Sequence, residues 1–175
     1  SLFMTLSMFG YASTDAVIKY IGLILPLSEI IFLRGIIAVF LLFLLAYIRK
    51  ELVVAIKRSQ IKFLILRVFG DVGCTVFFLT ALINMELATA TAILQCLPLA
   101  LTFAAAIFLK ERVGLRRWSA IILGFIGVLI IIKPASENFN YYSLLALLAV
   151  GFIVIRDVST KRLDPSIPST YVSFI

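Results

Sequence analysis

The chain has 175 residues, 63% of them apolar and only 14% charged, with a mean hydropathy of +1.16; a soluble domain is nearer half apolar, so this composition describes an integral membrane protein. A net charge of +7 would suggest nucleic-acid binding in a soluble protein, but here the basic residues sit mostly between apolar runs, where they orient a chain in a bilayer. With no histidine and no Cys, Asp and Glu clustered at ligand spacing, metal-dependent and histidine-based catalysis have no support, and no cofactor is expected.

In chain order, spanning helices are expected at roughly 2–22, 28–48, 63–83, 88–109, 118–133 and 142–163. The first begins Ser1-Leu2-Phe3 and lacks the basic start and small-residue cleavage site of a signal peptide, so it reads as a span. Between the second and third, Glu51 to Arg58 sets Leu52, Val53 and Ile56 on one side of a helix that would lie in the interface. The fourth holds 23 residues without a charge, Leu87 to Leu109, with Gln95 and Pro98 near its centre. A basic turn from Lys110 to Arg117 leads into Trp118 to Ile132, so the two runs make a transmembrane hairpin. Small residues at Ala100, Ala104, Ala120, Gly124 and Gly127 are spaced for close packing in that hairpin. Cys74 and Cys96 fall inside apolar runs and read as small buried residues. Trp118, Tyr141 and Tyr142 suit the interfacial belt. A seventh apolar run starts near 169 and stops at Ile175, too short to span, so the chain reads as a fragment.

Charge sets the expected topology. Arg49, Lys50, Lys57, Arg58, Lys62, Lys110, Arg112, Arg116, Arg117, Lys161 and Arg162 fall on one side, Lys19 and Lys133 on the other, and Arg34, Arg67 and Arg156 within helices. Lys and Arg collect on the cytoplasmic side, so the loops 49–62, 110–117 and 161–168 and the N-terminus are expected to be cytoplasmic.

An offset of 142 residues aligns Asp15 with Asp157, Lys19 with Lys161, Pro26 with Pro168 and Phe32 with Phe174. Asp, Lys and Pro are scarce here, so matches in one register indicate an internal repeat. Five spans separate the copies, and an odd number inverts the second relative to the first.

Charges inside spans cost several kcal/mol unless paired, snorkelling or facing water. Asp15, Lys19, Arg34, Arg67, Asp71 and Asp157 are therefore candidates for a substrate pathway, together with Gln95 and Pro98 near the midplane. Arg67 and Asp71, Asp15 and Lys19, and Asp157 and Lys161 are each four residues apart, within pairing reach on one helical face. Asp15 and Arg34 sit at similar depth and form a plausible bridge. Pro98 lacks an N–H and frees the carbonyl of Leu94 beside Gln95; a kinked packing helix with one bonded amide explains the same residues equally well. Lys19, Glu29, Arg156 and Lys161 read more readily as helix-end charges reaching toward headgroups.

Ala81-Leu82, Leu87-Ala88, Pro98, Glu111, Trp118 and the run Gly124 to Pro134 together resemble the EamA-like repeat of the drug/metabolite transporter superfamily. The resemblance implies an all-α polytopic transmembrane bundle. Residues 1–134 would form a first five-helix repeat and 140–175 the beginning of a second, inverted one, so that six spans and the start of a seventh belong to a ten-helix 5+5 transporter. It implies alternating-access movement of a small metabolite (an amino acid, vitamin, nucleotide-like or drug-like solute) across a bacterial inner membrane. The partners would be the bilayer, the solute, a coupling proton or ion and a second copy of the chain, with no nucleic acid. A membrane enzyme acting on a lipid-borne substrate and a non-transporting scaffold subunit are the alternatives; the short basic loops offer the enzyme no acid-rich or His-rich surface.

Overall fold

The computed structural model describes residues 2–22, 24–49, 58–109, 114–132, 140–164, 167–168 and 171–172, and the helices α1 (Leu2–Ile21), α2 (Leu27–Arg49), α3 (Arg58–Asn84), α4 (Leu87–Leu94), α5 (Leu97–Phe108), α6 (Leu115–Ile132) and α7 (Tyr142–Lys161) account for nearly all of them. The described residues contain no strand. The expected interfacial positions Leu52, Val53 and Ile56 and the loop residue Glu111 lie outside the described residues. Only Tyr171 and Val172 of the expected seventh span are described as helical.

Long uncharged runs become helices because a bilayer offers no partner for backbone N–H and C=O groups, which must then bond within their own segment. Among the described residues five stretches are long and apolar enough to cross: Leu27–Leu45, Gln60–Asn84, Leu87–Phe108, Leu115–Ile132 and Tyr142–Lys161. The structure thus supports a polytopic helical membrane protein. α1, expected as the first span, is a helix of 20 residues.

The helices are organised around α3 and α7, which run antiparallel. Arg162 lies 5.8 Å over the Phe63 ring at one end, and Phe77 stacks on Phe152 at 5.2 Å further along. Gly70 makes this approach close: a Cβ there would lie 2.8 Å from the Phe152 carbonyl oxygen and from the Arg156 amide nitrogen. Without side chains at Gly70 and Gly73, the Phe152 ring and the α7 backbone settle directly on α3. Beyond them Leu79, Leu82, Ala90, Ile93, Ala146 and Val150 form a core shared by α3, α4 and α7.

In the α5–α6 hairpin, Gly124 receives the side chain of Leu99, while Gly127 faces open space. Of the small residues expected to close this hairpin, Gly124 does so and Gly127 does not. α2 packs on the rest by one edge, and its remaining apolar side chains, from Phe32 to Ile48, are largely exposed.

Candidate functional site

The fourth expected span is one apolar run but two helices. Pro98 cannot donate to the carbonyl four residues back, and its ring crowds that turn. The chain therefore tightens at Gln95 and Cys96: the Gln95 N–H bonds to Thr91 and Ala92 carbonyls, and the Cys96 N–H to Ile93 at 3.1 Å. Helix resumes when Leu99 and Ala100 both donate to the Cys96 carbonyl, at 3.0 and 2.9 Å. Pro98, lacking an N–H, cannot donate to the carbonyl of Leu94. Gln95 and Pro98 are exposed at this break, whereas Cys96 is buried. The nearby Thr91 and Thr102 hydroxyls bond back to their own helices, at Leu87 and Pro98.

The second feature is a charge cluster between α3 and α7. Arg156 donates from Nη1 to Asp71 Oδ1 at 3.1 Å and from Nε to Asp157 Oδ1 at 2.9 Å. Arg67 lies near enough to feel Asp71, Arg156 and Asp157 through their charges. It makes no ion pair or hydrogen bond among the described residues, and its Nε is shut off from solvent without a partner. The spacing-based expectation that Arg67 pairs with Asp71 is thus corrected, because Arg156 from another helix takes the carboxylate. Arg156, read from sequence as a helix-end charge, ties α7 to the first half of the chain.

Lys19 is likewise not paired with Asp15. Its ammonium donates to the Leu82 carbonyl at 3.0 Å and to that of Met85, at the C-terminal end of α3. Those carbonyls lack partners within the helix and carry the negative end of its dipole, so a cation there fixes α1 against α3. Arg162 does the same for α5, donating to the Phe108 carbonyl at 2.5 Å.

Asp15 is half-buried on α1 and Arg34 exposed on α2. Arg34 acts on Asp15 through its charge, but no ion pair joins them among the described residues. The eight candidates therefore separate into Arg67, Asp71 and Asp157 in one cluster with Arg156, Gln95 and Pro98 at the helix break, Lys19 as a helix cap, and Asp15 facing Arg34 without contact. Among the described residues no His, Cys, Asp and Glu side chains group as a metal site.

Comparison with known proteins gives this arrangement a context. The EamA-like transporter family matches residues 1–133. A riboflavin transporter of Vibrio cholerae is 31% identical over 123 residues, covering 69% of this chain and 41% of the relative. A pseudopaline exporter of Pseudomonas aeruginosa is 27% identical, covering 93% and 57%. An S-adenosylmethionine uptake transporter of Rickettsia bellii is 30% identical, covering 90% and 53%. These relatives are named as transporters and an exporter, not as enzymes, and the chain spans about half their length. No solved structure matches.

Proposed function

Because this chain belongs to the EamA-like transporter family, we propose that it forms the first repeat and the opening of the second in a secondary transporter. The transporter moves a small metabolite across the cytoplasmic membrane by alternating access, with the N-terminus in the cytoplasm. The observation that carries this reading is α7. It follows the matched 133 residues, repeats the Asp-x-x-x-Lys spacing of α1, and packs antiparallel on α3 through an intramembrane ion pair. A helix of one repeat held against the other by a few charges and a glycine contact can rock as a unit.

The interruption at Gln95 supports the same reading, since transporters of this general design expose backbone carbonyls where a spanning helix breaks at mid-depth. The solute is of the kind the relatives' names indicate, such as riboflavin, S-adenosylmethionine or pseudopaline. The full-length protein in sealed vesicles should accumulate or release radiolabelled riboflavin or S-adenosylmethionine above the rate of protein-free vesicles. Turnover of a vesicle lipid without solute flux would instead favour the enzyme.

A further inference from the structure

We propose that the exposed face of α6 is a binding strip for one anionic phospholipid, with Arg116 on the phosphodiester and an acyl chain along Leu123, Ile126 and Ile130. The strip is separate from the solute pathway and does not depend on what is transported.

The charge of the bundle is divided between its ends. Among the described residues Arg58, Lys62, Arg116, Arg117, Lys161 and Arg162 stand exposed at one end, with Asp164 the carboxylate there. At the other end Glu29 and Glu86 are exposed, and the Lys19 ammonium is held by the carbonyls that end α3. The basic residues come from different helices but meet in one rim. Arg162 reaches from the Phe63 ring near the start of α3 to the Phe108 carbonyl at the end of α5, and Trp118 in the first turn of α6 packs edge-on against Phe103 of α5 at 5.9 Å. Each basic residue near the membrane surface favours an anionic headgroup by about fivefold.

A charge excess that only orients the chain would serve at any angle round α6. Arg116 has a particular one. At about 100° per residue it shares a face with Leu123, Ile126 and Ile130, all largely exposed, whereas Arg117 turns to the packed side above the buried Ile121 and Val128. Ser119 lies on the same face as Arg116, but its hydroxyl is bonded to the Arg116 carbonyl at 2.9 Å, which leaves the guanidinium as the polar group for a ligand. Ile130 stands roughly 20 Å along the axis from Arg116, about half of a bilayer with its headgroups. Two parallel N–H donors of a guanidinium suit two phosphate oxygens, and the hydrocarbon face below takes the chain.

The test uses full-length protein in micelles holding equal amounts of phosphatidylglycerol and phosphatidylcholine with matched chains, the retained lipid being counted by native mass spectrometry. Wild type should keep phosphatidylglycerol about fivefold over phosphatidylcholine. Arg116→Gln should bring the ratio close to one, Arg116→Lys should keep part of the preference, and Arg117→Gln, the same loss of charge on the packed side, should keep most of it. Equal retention of the two lipids by wild type overturns the inference without any variant. Equal losses in Arg116→Gln and Arg117→Gln overturn it in favour of a diffuse positive field that only orients the chain. Displacement of the lipid by glycerol phosphate, which has the headgroup's anion and no chain, would assign Arg116 to a soluble phosphate and also overturn the lipid strip.

Discussion

Arg156 on α7 reaches Asp71 on α3 across 85 residues of sequence at 3.1 Å, while Arg67, four residues from Asp71 on its own helix, makes no contact with it among the described residues. That preference joins α7 to α3, and its energy is measurable. With Asp71 more than half exposed, the pair should be worth only about 0.5–1 kcal/mol. A double-mutant cycle of Asp71→Asn and Arg156→Gln, read by thermal unfolding in detergent, should give coupling of that order. Additive losses would show that the contact contributes no pairwise energy.

Gly70 predicts a steric counterpart. A methyl group there meets the Phe152 carbonyl and the Arg156 amide at 2.8 Å, both backbone and unable to step aside. Gly70→Ala should cost about 1–3 kcal/mol by forcing the helices apart. Gly127→Ala, whose added carbon meets nothing within 4 Å, should be neutral or slightly stabilising. Equal unfolding midpoints for the two variants would contradict the packing described.

Lys19 is expected to behave as a structural cap. Lys19→Met leaves the Leu82 and Met85 carbonyls without their cation and should lower stability by about 1–2 kcal/mol. Lys19→Arg should retain most of that stability. If Lys19→Met unfolds like wild type yet transports poorly, the lysine belongs to the pathway and not to the scaffold.

Orientation is testable by labelling. Cysteines placed singly at Lys57 and Glu137 should react with an impermeant reagent from the cytoplasmic and external sides respectively, as the basic-loop asymmetry requires. The reverse pattern would invert the topology.

The spans and the break in the fourth were legible in the sequence for simple reasons. Uncharged runs of about twenty residues have no stable form in lipid but a helix, and Pro98 removes a donor wherever it stands. The partner of Asp71 was not legible. Local spacing offered Arg67, and nothing in the sequence shows that Gly70 and Gly73 admit α7 closely enough for Arg156 to win. Its adjacency to Asp157, a second intramembrane charge, was the one available hint. The partners of Lys19 were not legible either, because the end of α3, which it caps, is 63 residues away in sequence.

The central claim is exchange of access between the two ends of the protein, and cysteine labelling at Ile18 and Thr160 tests it most directly. These positions are equivalent under the 142-residue offset, yet Ile18 is only 6% exposed and Thr160 lies open. In full-length protein, adding whichever of riboflavin or S-adenosylmethionine the vesicles carry should raise the labelling of Ile18→Cys while lowering that of Thr160→Cys. Protection of both together, or no response at either, would contradict alternating access between the repeats.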